Sequence, residues 1–105
     1  MGTMETIFRA IADPTRRGIL DQLAKGDESV MSLARGFEMS LPAVSQHLKI
    51  LQKADLVIGQ RKGRQIVYHL NAAPLRKVSR WVRPYERFWK SRLDALGDHL
   101  RRRHG

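Results

Sequence analysis

The sequence predicts a mainly α-helical fold with one small β-hairpin, in the order α-α-α-α-β-β-α. Three observations predict it. Apolar residues recur at steps of three and four along most of the chain, two short β-prone runs flank Gly63-Arg64, and cap residues stand where new helices would begin. At 105 residues the chain is about one domain long, and residues 1–105 are expected to fold as one.

The first helix carries Met4, Ile7, Phe8 and Ile11 on one face. Asp13-Pro14-Thr15 opens the second, because an Asp side chain accepts the free amide hydrogens of a first turn and Pro there gives up no bond the helix needed. Its apolar face is Ile19, Leu20, Leu23 and Ala24, and Gly26 is placed to end it near Lys25. Gly26-Asp27-Glu28 reads as a turn. Val30, Leu33, Ala34 and Phe37 then describe a third helix of barely two turns, weakened by Gly36. Ser40 is a good N-cap for a fourth helix, Ser40–Ala54, with Pro42 in its first turn. Leu41, Val44, Leu48 and Leu51 are its inward positions, and Pro42, Ala43, Ser45, Gln46 and Lys49 lie opposite.

Leu56 to Lys62 and Gln65 to Leu70 read as the two strands of a hairpin with a polar, cationic tip. Asn71 to Pro74 interrupts the chain, after which Val78, Trp81, Val82, Tyr85, Phe88, Trp89, Leu93, Leu96 and Leu100 form a long helical stripe. Pro84 lies inside it and is expected to kink or divide the helix, by removing a donor and crowding the carbonyl four residues earlier. Arg101 to Gly105 is expected to fray.

The formal charge of +10 is unevenly spread: residues 1–39 carry five Lys/Arg against six Asp/Glu, and residues 40–105 carry fifteen against four. A one-sided basic field concentrates a polyanion, either nucleic acid or an anionic membrane. There is no Cys, which excludes disulfides, thiolate metal sites and a Cys nucleophile. No apolar run reaches the roughly 18 residues of a membrane span, and no basic flank precedes an apolar stretch at the start, so a soluble cytoplasmic protein is expected. No pair of carboxylates, Ser-His-Asp set or glycine-rich phosphate loop is recognisable, and Asp55 and His69 are poor grounds for an acid and a base. No catalytic residue is assigned.

A short helix followed within three or four residues by a capped one has the spacing of a helix-turn-helix, and the hairpin after it makes the order that of a winged helix-turn-helix. Here the residues also resemble a known family. Ala12-Asp13-Pro14-Thr15-Arg16-Arg17, the run from Met39 to Lys49, Gly63-Arg64 with Tyr68, and Trp81 to Leu96 look like the ArsR/SmtB-type repressors, over nearly the whole chain. The pattern of Trp, Tyr, Phe-Trp and Leu on the last helix is most similar to the metal-independent members. The resemblance implies a homodimeric bacterial repressor of a palindromic operator, often its own.

The residues make a physical case beside the resemblance. A major groove about 12 Å wide accepts one helix, so the outer side of Ser40–Ala54 can meet base edges. Ser40 and Ser45 are short enough to approach phosphates, Gln46 can pair donor and acceptor with adenine, Pro42 and Ala43 offer contact to thymine methyls, and Lys49 suits a phosphate. His47 sits at the edge of the apolar stripe, and a half-buried side chain bonded to backbone or phosphate is expected rather than a metal ligand. Within the wing, Gln60–Gln65, Arg61, Lys62, Arg64 and Gln65 can follow phosphates or enter the minor groove.

The last helix offers more apolar surface than a small domain covers, so a second copy is expected on Trp81, Tyr85, Phe88, Trp89, Leu93, Leu96 and Leu100, joined by Met4, Ile7, Phe8 and Ile11. Residues 1–12 and 74–100 are thus the expected dimerisation helices. The resemblance implies cysteines, or Asp/His sets on the last helix, where members sense metals. Val30-Met31-Ser32-Leu33 offers no thiolate, and Asp94, Asp98, His99 and His104 do not form such a set, so no metal or cofactor is expected. The effector is left open between a small molecule in the aromatic interface and a protein, with control by repressor concentration alone as the third course. Membrane attachment through the basic last helix and RNA binding share the charge logic. Membrane attachment leaves the cap and the wing unexplained.

Overall fold

A computed structural model describes residues 3–104, and among them every side chain except those of residues 94, 95, 98 and 101–104. Four helices come first: α1 (Met4–Ile11), α2 (Pro14–Lys25), α3 (Val30–Phe37) and α4 (Leu41–Lys53). The residue before each is a small polar cap whose side-chain oxygen accepts a backbone N–H of the first turn. Thr3 accepts from Thr6 at 3.1 Å, Asp13 from Arg16 at 3.0 Å, Ser29 from Ser32 at 3.1 Å and Ser40 from Ala43 at 3.3 Å. Asp13 and Ser40 act as the sequence predicts.

The sheet has three antiparallel strands: β1 (Glu28–Ser29), β2 (Val57–Lys62) and β3 (Gln65–Leu70), in the order β1-β3-β2. The expected two-stranded hairpin is therefore incomplete. Gly26 ends α2 in an extended conformation, and the segment read as a turn passes along β3, with Glu28 opposite Tyr68 and Ser29 opposite Val67. Lys62 faces Gln65 across the two-residue turn, where Gly63 has φ +63 and Arg64 does not share that sign, the pattern of a type II′ hairpin turn. At the base of the hairpin the Asn71 side chain donates to the Asp55 carbonyl at 2.7 Å and its backbone N–H to that of Leu56 at 2.8 Å.

Ile7, Ile19, Leu33, Val44, Leu48, Leu51 and Leu56 are fully buried and bring α1 to α4 and the base of β2 onto one core, closed on the sheet side by Tyr68. Leu41 corrects the inward stripe of the fourth helix: it is 46% exposed. It stands in the first helical position, three residues before Val44 meets the core, and α3 has already ended at Phe37.

The last helix, α5 (Leu75–His104), is not divided at Pro84. Pro84 and Arg80 are both exposed, so the carbonyl that loses its helical donor faces water. The helix also continues to His104, past the point where fraying was expected, while Gly105 lies outside the described residues. Leu75 and Val78 pack on the core, and the rest of α5 projects from it. This gives a radius of gyration of 18.2 Å, against about 13 Å for a compact chain of about 100 residues. Among the described residues no helix is long and apolar enough to cross a membrane.

Candidate nucleic-acid interface

The chemistry of α4 follows from its register. Val44, Leu48 and Leu51 are fully buried, which fixes the rotation of the helix and turns Ser45, Gln46 and Lys49 outward. Pro42 and the cap Ser40 are also exposed, and Ala43 is half-buried. The start of the helix presents the positive end of its dipole on the same side, although Pro42 has no N–H and the Ala43 N–H donates to the Ser40 hydroxyl.

Arg61, Lys62, Arg64 and Gln65 are exposed at the tip of the wing. Arg64 and Gln65 line one groove of about 260 Å³ together with Ser45 of α4 and with Ser29, Val30, Met31, Leu41 and Ile66. The fold thus brings the outer side of α4 against the wing tip. It also brings there a strip of exposed apolar side chains: Met31 and Ile66, to which the sequence reading assigned no role, and Leu41, which it placed on the inward stripe. Ile66 could have been suspected from its place opposite Arg61 near the tip, whereas Met31 and Leu41 fall on helical spacings that suit a core.

His47 is half-buried, as expected, but its neighbours are side chains rather than backbone. Its Nδ1 lies 3.4 Å from Nη1 of Arg16 and 3.9 Å from Oδ2 of Asp13. The Asp13 carboxyl is held below the usual carboxylate range, chiefly by the Arg16 backbone N–H that it caps, with the Arg16 guanidinium and His47 adding to the effect and partial burial opposing it. The cap therefore stays ionised at neutral pH and is lost as the pH falls through its lowered range. Neither Asp13 nor Arg16 was singled out as a neighbour of α4 by sequence, since they lie some thirty positions away and no periodicity links them.

A second surface runs along α5. Trp81, Tyr85, Phe88, Trp89, Leu93, Leu96 and Leu100 are all large, apolar and about half exposed, and they recur at helical steps on one side. Phe8 of α1 meets Trp81 edge to face, with ring centroids 5.3 Å apart, and Trp81 meets Tyr85 at 5.7 Å. Trp81, Val82, Tyr85 and Trp89 line a hollow of about 360 Å³. Phe8 is half-buried at the margin of this surface, and Met4 and Ile11 are half-buried on the same helix, Ile11 against the core. Ile7 is not part of it: its side chain is fully buried in the core of its own chain and has no surface to offer a second copy. Among the described residues no three His, Asp or Glu gather as metal ligands would, and the side chains of Asp94, Asp98 and His104 lie outside that set.

Comparison with known proteins agrees with this geometry. The family described as "Bacterial regulatory protein, arsR family" matches residues 13–58, from the cap of α2 into β2. The transcriptional repressor SdpR of Bacillus subtilis is 43% identical over 79 residues, covering 75% of this chain and 88% of that protein. The HTH-type transcriptional regulator Rv2034 of Mycobacterium tuberculosis is 42% identical over 86 residues, covering 82% and 78%. Among solved structures, an ArsR-like transcriptional regulator from Rhodococcus sp. RHA1 superposes with a TM-score of 0.73 at 35% identity, over 90% of this chain and 87% of that one. These are regulators and not enzymes. The chain belongs to the ArsR family of bacterial regulatory proteins and is a DNA-binding transcriptional regulator with a winged helix-turn-helix fold.

Proposed function

We propose that the chain acts in the cytoplasm as a homodimeric repressor of an inverted-repeat operator. The observation that carries this is the groove in which Ser45 of α4 stands beside Arg64 and Gln65 of the wing. In this reading α4 enters the major groove, with Ser40 and Ser45 toward phosphates, Gln46 toward an adenine edge, Pro42 and Ala43 toward thymine methyls, and His47 and Lys49 flanking them. Arg61, Lys62, Arg64 and Gln65 track the neighbouring backbone, and the apolar strip beside them suits deoxyribose and methyl groups.

The whole chain, 1–105, works as one DNA-binding unit. Its second copy covers the α5 stripe and the margin of α1. A two-fold axis then sets two α4 helices about one turn of DNA apart, which calls for an inverted repeat. Any small-molecule effector would find a largely apolar site in the aromatic hollow, and a protein effector would compete for the same stripe. Selection of duplexes from a randomised pool tests the reading: an inverted repeat with half-sites roughly 10 base pairs apart is expected. A pool that stays random, or that competes no better than duplex RNA, overturns it.

Two substitutions separate the roles. Gln46→Ala is expected to cost roughly 1–3 kcal/mol on the selected operator and to relax the preference at one base pair of each half-site. An equal loss on every sequence, measured by competition, would contradict base readout. Arg64→Ala is expected to weaken binding to all duplexes and to reduce the slope of log K against log salt by about one for each phosphate it neutralises. A salt titration with an unchanged slope would remove Arg64 from the interface.

A further inference from the structure

The end of α1 is unusual in how it is tied down. Its last carbonyls lack the usual donor four residues on, and apart from a 3.4 Å bond from the Ala12 N–H to the Arg9 carbonyl the donors at this end are side chains of α2 arginines. Nε of Arg16 donates to the Ala10 carbonyl at 2.7 Å, and Nη2 donates to that of Arg9 at 2.9 Å. Arg17 Nη1 donates to the carbonyls of Ile11 at 2.9 Å and Ala12 at 3.1 Å. The remaining arm of Arg16, Nη1, lies 3.4 Å from His47 Nδ1, which accepts from it when that nitrogen carries no hydrogen. One guanidinium therefore holds α1 on two of its nitrogens and α4 on the third. Asp13, whose carboxylate reaches toward the same imidazole at 3.9 Å, caps the helix that carries Arg16.

The two helices so joined have different tasks in the proposed dimer. Phe8, one residue before the first bonded carbonyl, meets Trp81 of α5 edge to face, so α1 belongs to the platform that carries the two-fold axis. His47 lies one residue after Gln46, on the helix proposed to read bases. The planar fork makes three directed contacts from one rigid group, which a flexible ammonium cannot reproduce. A small rotation of α4 against the platform moves both reading surfaces at once, because the axis doubles it.

We propose that Arg16 is a positioning residue for DNA readout: by clamping the end of α1 to His47 it fixes the angle of α4 on the α1–α5 platform and so sets the half-site spacing that the dimer accepts. The inference rests on the homodimer reading above. It assigns Arg16 no contact with DNA.

The test uses the full-length protein and the inverted repeat selected with it, together with versions whose half-sites are moved one or two base pairs closer or further apart. The wild type is expected to discriminate among spacings. Arg16→Lys keeps the charge but not the fork, and is expected to lose about tenfold on the preferred spacing while the others change less than about twofold, at unchanged dimer dissociation constant. His47→Ala leaves the bonds to α1 in place; because His47 also flanks the proposed DNA contacts, it is expected to weaken binding at every spacing and most at the preferred one, so that the profile flattens. The double variant is then expected to lose less than the product of the single losses, because both act on one link. An Arg16→Lys profile that keeps its shape, falling equally at all spacings or not at all, overturns the proposal, as does a double variant whose losses multiply. A wild type without any spacing preference would instead overturn the homodimer reading beneath it.

Discussion

Replacing Trp89 by Asp is expected to leave a folded protomer that no longer dimerises, with the dimer dissociation constant raised at least about 100-fold. Trp89 is 53% exposed and stands on the part of α5 that has left the core, so the substitution removes little from the folded chain itself. In the proposed dimer its effect falls on the surface between copies. In a two-fold interface each protomer contributes the same patch, so one substitution places two carboxylates in an apolar seam. A carboxylate buried there without a partner loses its hydration and gains no bond. Operator binding should fall further than half-site affinity, because two tethered reading helices gain avidity that a monomer lacks. Sedimentation of the variant and the wild type at equal concentration checks this, with helical content measured alongside. A variant that sediments as a dimer at nanomolar concentration would take Trp89 out of the interface.

Much of this architecture can be read from local chemistry. The caps at Asp13 and Ser40, the buried registers Ile19, Leu20, Leu23 of α2 and Val44, Leu48, Leu51 of α4, and the glycine turn at Gly63 each depend on residues within a turn or two and stand where the sequence places them, whereas Ala24, read onto the apolar face of α2, is exposed. Features that depend on distant partners are less legible. Glu28–Ser29 is too short to show an alternation and becomes a strand only because β3 lies alongside it. Helical spacing identifies an apolar face but not what covers it. Ile7 and Leu41 both sit in regular stripes, yet Ile7 is enclosed by its own chain and Leu41 opens onto the groove beside the wing. Pro84 carries the reverse lesson: it does not divide α5, where both it and Arg80 face water. The link from Arg16 to His47 spans 31 positions and leaves no periodic trace at all.

The contrast between two leucines of α4 provides the other large effect. Leu48 is fully buried among the residues that hold α4 against α1 and α2, and Leu48→Ala is expected to destabilise the protein by about 2–5 kcal/mol, from lost transfer energy plus the cavity left behind. Against a typical total of roughly 5–15 kcal/mol that is a substantial share, enough to lower the midpoint of thermal unfolding by about 10 °C or more. Leu41→Ala, seven residues earlier on the same apparent stripe, truncates a side chain already 46% in water and is expected to cost well under half as much. Its effect should appear instead on DNA, since Leu41 lines the groove shared by Ser45 and Arg64. Urea unfolding at one fixed protein concentration compares the two without the mass-action shift that dimerisation adds. If the two truncations cost the same, Leu41 packs as the spacing alone suggests, and the groove between α4 and the wing closes. If Leu48→Ala is the costly one and Leu41→Ala spares stability but weakens operator binding, the stripe divides where the fold divides it: the core holds the helix from Val44 onward, and its first turn is left free to meet the nucleic acid.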